Sequence, residues 1–100
     1  MTQEEAIKKA KAYARVLEKH FDLEKVYLFG SYAKDEPRED SDIDVAVVVK
    51  HVEGDFFSVN PLLWKLRRQI DDRIEPILIE KDHDEAGFLG DIQNNGIEII

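Results

Sequence analysis

The run Ile43–Val49, IDVAVVV, limits more than any other segment what this chain can fold into. After Asp44 every side chain is apolar, and successive residues of a strand point to opposite faces, so both faces of this one must be covered. That is the pattern of a strand in the middle of a sheet, with helices packed on two sides. Two carboxylates, Asp42 and Asp44, stand at its entrance. Being two residues apart they face the same way, roughly 6 to 7 Å from each other at the backbone. At an effective dielectric near 20 they repel by about 2 kcal/mol. A sequence shaped by stability alone would avoid this pair, so the acids call for a counter-charge.

The remaining elements follow from periodicity. Thr2 and Glu5 make a capping box, and Ile7, Ala10, Ala14, Leu17 and Phe21 recur on one face, so residues 3–21 are expected to form an amphipathic helix. KVYLF, residues 25–29, is a short strand that stops at Gly30. Ser31 then caps a helical turn over residues 32–34, and DEPREDS, residues 35–41, is a polar loop. Residues 50–60 show little periodicity and are expected to be a connection. Pro61 suits the first turn of a second helix carrying Leu62, Leu63, Leu66 and Ile70. IEPILI, residues 74–79, is a third strand, and its Pro76 points to a sheet edge or a bulge. Acidic residues from Asp82 to Glu85 lead into a last short helix that ends at Gly96. The expected fold class is α+β: one domain over residues 1–100, a small mixed sheet flanked by helices.

Composition removes several function classes. With 36% charged residues and no apolar run long enough to cross a bilayer, nothing in the sequence calls for a membrane, and the charged N-terminus has no secretory pattern, so the cytoplasm is expected. Cysteine is absent, which excludes thiol catalysis and thiolate-bound zinc. A net charge of −8 repels the nucleic-acid backbone and argues against direct nucleic-acid binding. A nucleotide held through metal ions remains compatible with that charge.

Mg²⁺ takes hard oxygen ligands, usually a few carboxylates completed by water and phosphate, and an Asp-x-Asp at a strand mouth suits it. Gly30-Ser31 supplies a complementary half. Glycine lets a phosphate approach the backbone, the following turn offers free N–H groups, and the Ser31 hydroxyl adds a donor. About a dozen residues join the two strands, so they are most simply antiparallel neighbours, with Gly30 and Asp42 at the same end of the sheet. Glu75 is the acid within the third strand. If that strand lies beside the Asp-bearing one, Glu75 completes a site for two metal ions, of the kind that activates a hydroxyl and holds a triphosphate.

Gly30, Ser31, ten residues, Asp42, any residue, Asp44 resembles the signature of the DNA polymerase β-like nucleotidyltransferases. Ser41-Asp42-Ile43-Asp44 together with Ala33 resembles their minimal members. The resemblance covers most of the chain. It implies a nucleotidyltransferase fold and a Mg²⁺-dependent transfer of AMP from ATP to a hydroxyl. By the same resemblance Asp42, Asp44 and Glu75 are the metal carboxylates, and Gly30 and Ser31 bind the phosphates of the nucleotide. Minimal members lack the helical acceptor domain and work with an all-helical HEPN protein encoded nearby. The resemblance therefore implies a hetero-oligomeric toxin–antitoxin pair in which AMP is placed on a tyrosine of the toxin. Two positions depart from the family pattern: Asp35 stands where glycine is common, and the third acid is Glu rather than Asp.

Plainer readings stand beside these. Lys34 and Arg38 lie among acids and fit a solvated loop as well as a triphosphate contact. Asp82-His83-Asp84-Glu85 is better explained by a helix start than by a metal cluster, because His83 has no second His at ligand spacing. His20 and His51 lack a nucleophile. Trp64, Phe56 and Phe57 are expected in packing, with Phe56-Phe57 in a loop the best place for a partner contact. As a whole function, the alternative to an enzyme is a non-catalytic antitoxin that binds nucleotide and neutralises its partner by contact alone. A small-molecule transferase has too little chain for an acceptor pocket. The first two readings differ over Glu75.

Overall fold

The computed structural model describes residues 1–38, 41–50, 56–83 and 87–100. Helix α1 spans Gln3–Glu18. Thr2, in extended conformation, accepts the Glu5 N–H on its hydroxyl oxygen at 3.1 Å, and its hydroxyl donates to the Glu5 carboxylate at 3.2 Å. The expected cap is therefore present, with Glu5 closing it onto the Thr2 hydroxyl. The helix ends three residues earlier than expected, where the N–H groups of His20 and Phe21 both turn back to Leu17 O. Ala6, Ala10, Tyr13, Ala14 and Leu17 are its fully buried face, and Ile7 and Phe21 pack at the margin of the same core. Three alanines one turn apart let α1 lie close to the sheet. Tyr13 fills the space beside them and donates its hydroxyl to Leu63 O at 2.7 Å, which satisfies a polar group that burial would otherwise penalise.

Strands β1 (Leu23–Phe29), β2 (Ile43–Val49), β3 (Ile74–Glu80) and β4 (Ile97–Glu98) form one sheet in the order β3-β2-β1-β4. β1 pairs antiparallel with β2 and with β4, while β2 and β3 are parallel. The expected mixed sheet is thus observed, with β2 inside it and β3 at an edge, where Pro76 can be tolerated. β4 was not expected: two residues after Gly96 carry too little pattern to mark a strand, and only the exposed side of β1 gives them a partner. Gly96 ends α3 (Phe88–Asn95) as expected, its N–H bonding back to Ile92 O.

Helix α2, Phe56–Leu66, corrects the reading of residues 56–60 as part of a connection and of Pro61 as a first-turn residue, while residues 51–55 lie outside the described residues. Pro61 lies inside the helix and gives up one backbone bond in its second turn. Parallel strands need a crossover, and the helix extends back to Phe56 to supply it between β2 and β3. Phe56 and Phe57 are accordingly helical rather than in a loop.

The two faces of the sheet are covered unequally. Val26, Leu28, Ile43, Val45, Val47 and Ile74 face α1 and α2 in the larger core. On the other side Tyr27, Ala46, Val48 and Ile79 pack against Leu89 and Ile92 of the eight-residue α3. At the margin of that smaller core, Phe29 meets Phe88 edge to face, with ring centroids 6.0 Å apart. The row of β residues that begins at Phe29 remains only half-buried.

One polar anchor holds the start of β3. Asp71, whose side chain is 12% exposed, accepts from the Arg73 backbone N–H at 2.8 Å, from the Arg73 guanidinium at 2.9 Å and from Lys9 of α1. Hydrogen bonds from Arg73, with those from Lys9, hold its carboxyl well below the usual carboxylate range. A depressed acid adds stability above its unfolded value of about 3.9, and that stability is lost as the pH falls from there toward the native value. Asp71→Asn is expected to cost about 2 kcal/mol at neutral pH, the scale of hydrogen bonds to a charged group. Urea unfolding at pH 7 and again below pH 3 measures this, and the difference from wild type should shrink at the lower pH.

Candidate active site

β1 ends at Gly30, whose φ of +73° lies in the left-handed region. A Cβ built there would stand 2.2 Å from Asp44 Oδ2. The bare Cα of Gly30 is therefore what gives the Asp44 carboxylate its room, in addition to any closeness it allows a phosphate. A turn follows, in which Lys34 N–H donates to Gly30 O at 3.2 Å and Glu36 N–H to Ser31 O at 2.9 Å. Tyr32 is inserted into the core, and the Gln3 side-chain amide donates to Tyr32 O at 2.9 Å, so the first turn of α1 braces this turn from below. Asp35 adopts φ +55°. A residue there needs left-handed geometry, which accounts for glycine being common at this position, and Asp is among the side chains that tolerate it.

Cross-strand register then assembles the acids. Asp44 lies opposite Phe29 on one side and opposite Glu75 on the other. Paired residues of adjacent strands point to the same face, and Asp42, just before β2, shares that face by alternation. The charges of Glu75 and Asp42 act on Asp44, and that of Asp42 acts on Glu75. The three carboxyl groups therefore meet on the half-covered side of the sheet, beside Gly30. Burial, then the charges of Glu75 and Asp42, push the Asp44 carboxyl up to about 6. Burial and the neighbouring Asp42 raise Glu75 as well, with Arg67 opposing.

Among the described residues no group of three or more His, Asp or Glu side chains stands already arranged to hold a metal ion. Strand register instead gathers the three carboxyls on one face. Their donor set is carboxylate oxygen throughout. It is hard, anionic and partly withdrawn from water, which fits a cation such as Mg²⁺ and not a soft metal.

Other candidates are not brought here. Lys34 and Arg38 are exposed, and the Arg38 N–H donates to Ser41 Oγ at 2.7 Å. Asp82 and His83 belong to a 3-10 turn at the far end of β3 from Glu75, while Asp84 and Glu85 lie outside the described residues, as do His51 and the side chains of Phe56 and Phe57. His20 is exposed. Two residues near the site carried no functional reading in the sequence. Gln3 has no sequence signal. Arg67 has a faint one, its spacing of three from Trp64, which puts both on one helix face.

Two outcomes follow from this geometry. A carboxyl raised in the fold costs stability as the pH rises from its unfolded value of about 4 through about 6. With a chelator present at pH 7.5, Asp44→Asn is therefore expected to raise stability by about 1 to 2 kcal/mol after solvent screening, read from the urea midpoint. Gly30→Ala forces both a strained φ and a displaced Asp44, and is expected to lose roughly 1 to 3 kcal/mol on the same assay.

Comparison with known proteins shows the family and the fold. Residues 11–100 match the family model for polymerase beta nucleotidyltransferases. A Methanocaldococcus jannaschii protein, MJ0141, named as a candidate protein adenylyltransferase, is 30% identical over 79 residues, covering 77% of this chain and 79% of its own. Among solved structures, a candidate nucleotidyltransferase from Sulfolobus solfataricus superposes with a TM-score of 0.69 at 24% identity, over 96% of this chain and 80% of that one. A toxin–antitoxin structure with AMP-PNP gives the same TM-score at 24% identity, covering 92% and 72%. A mutant of the MntA-HpeT toxin–antitoxin pair also gives 0.69, at 21% identity, covering 91% and 72%. The match to the family over most of its length, on a sheet that gathers Gly30, Asp42, Asp44 and Glu75, means that the chain belongs to the polymerase beta nucleotidyltransferase family.

Proposed function

We propose that this chain transfers AMP from ATP to a hydroxyl of a partner protein, with Asp42, Asp44 and Glu75 holding two Mg²⁺ ions and with Gly30 and Ser31 binding the nucleotide phosphates. The observation that carries the reading is the register of Asp44 against Glu75. It brings the third acid to the first two, which the non-catalytic alternative has no need of. When bound, Mg²⁺ supplies charge neutralisation for the triphosphate and polarisation of the attacking hydroxyl. The protein's own part is positioning. Gly30, without a side chain, opens the backbone to a phosphate, and the Ser31 hydroxyl donates to a phosphate oxygen. Asp42, Asp44 and Glu75 would hold the ions through their carboxylate oxygens. The acceptor oxygen attacks the α-phosphorus in line and pyrophosphate leaves, a reaction that asks of a protein mostly geometry and electrostatics.

The acceptor we infer is a tyrosine of an all-helical HEPN toxin encoded nearby, so that this chain acts as the antitoxin of a hetero-oligomeric pair. Support comes from the likeness to toxin–antitoxin structures, one of them with AMP-PNP, and to a candidate protein adenylyltransferase. None of the described helices is long and apolar enough to cross a membrane, in keeping with action in the cytoplasm.

The test is incubation of the chain with MgATP and the neighbouring HEPN protein, followed by intact mass of the partner. An AMP adduct on one tyrosine is expected, and Asp44→Asn or Glu75→Gln should slow its formation at least about 100-fold, the scale of losing one electrostatic stabiliser of a transition state. A partner neutralised without any adduct, equally well by both variants, would return the role to a binding antitoxin.

A further inference from the structure

Arg67 opens the 3-10 turn Arg67–Gln69 after α2 and is half-buried. It lies over the ring of Trp64, 4.7 Å from the centroid. Its Nη1 donates to two backbone carbonyls, those of Asp72 and of Ile74, the latter at 3.0 Å. Its Nε is buried with no hydrogen-bond partner among the described residues. The ion pairs among the described residues are made by Lys9, Lys25, Arg73 and Lys81. A half-buried guanidinium with an unsatisfied donor and no carboxylate at ion-pair distance among the described residues costs stability, which a Met or Leu at this position would avoid.

What it holds gives a reason. The Ile74 carbonyl belongs to the peptide that enters Glu75. Between the two bonded carbonyls lies that of Arg73, which accepts the Ile43 N–H at 2.9 Å and so joins the start of β2 to the start of β3. The backbone leading into Glu75 is thus fixed from β2 on one side and by Arg67 Nη1 on the other. Its direction decides whether the Glu75 carboxylate reaches Asp42 and Asp44.

We infer that Arg67 is a positioning residue of the active site: stacked on Trp64 and bonded to the carbonyls of Asp72 and Ile74, it aims Glu75 at the aspartates and so sets the affinity of the cluster for a divalent cation. This rests on the cluster being the metal site of the proposed function. One planar amino group, Nη1, reaches both carbonyls from a guanidinium held over the Trp64 ring, and a Lys ammonium on a flexible stem reproduces that poorly.

The probe is Mn²⁺, whose free form is counted by its paramagnetic resonance signal, titrated into the whole chain without nucleotide or partner. Arg67→Lys and Arg67→Met are expected to bind Mn²⁺ about tenfold and several tens of times more weakly than wild type, the range for losing a group that orients a ligand. In parallel, Mg²⁺ is expected to alter the emission of Trp64, the single tryptophan, in wild type and not in Arg67→Met. A merely structural Arg67 would lower the melting temperature and leave the dissociation constant of the folded protein unmoved, and that result overturns the inference while sparing the proposed function. Absence of Mn²⁺ binding by wild type overturns both. Should Arg67→Met fail to fold, the Lys variant decides.

Discussion

The parallel pairing of β2 with β3 sets Glu75 directly across from Asp44, and it does so against the mutual repulsion of three acids. Much of the molecule can be understood as what that pairing requires. A parallel neighbour demands a crossover, which is α2, begun early enough that a proline falls within it. The start of β3 must stay in place although its first acid is repelled by the next strand. Asp71 fastens it to α1 through Lys9, Ile43 bonds it to β2, and Arg67 clamps it from the end of α2.

Unequal covering of the sheet completes the arrangement. Two helices seal one face with a continuous apolar core, and that face carries most of the hydrophobic stabilisation. Among the described residues the other face is covered by the short α3, and the row Phe29–Asp44–Glu75 is half-buried. Such intermediate burial serves the chemistry. Deeper burial would leave the acids permanently protonated, and full exposure would weaken every charge interaction they make. Asp44, raised to about 6, lies between these limits: it ionises at neutral pH and gains strongly from a cation.

Legibility from the sequence followed the strength of local signals. The two-faced apolar run of β2, the Thr2 cap, the stop at Gly96 and the edge position of β3 could be read because each is enforced within a few residues, by alternation, by an orphan N–H or by the missing donor of Pro76. The start of α2 could not. Gly54 and Pro61 speak locally against a helix there, and only the need to carry the chain across the sheet outweighs them. β4 is two residues whose strand character comes entirely from β1. Gln3 and Arg67 are ordinary surface types in sequence, and their roles lie in which carbonyls happen to come within reach.

The sequence by itself determined the composition of the candidate site: a glycine and a serine at one strand end, two aspartates at the next strand mouth, and a glutamate in an edge strand, since alternation and strand boundaries are properties of a few consecutive residues. Tertiary structure decided whether these belong together. That Asp44 faces Glu75 depends on a parallel register between segments some thirty residues apart, and that Gly30 must be glycine for the sake of Asp44 depends on a contact between two strands. Both are long-range, and neither leaves a mark in the local pattern of either segment. Arg67, marked in the sequence by no more than its spacing from Trp64, is the side chain through which the turn before β3 settles where Glu75 points.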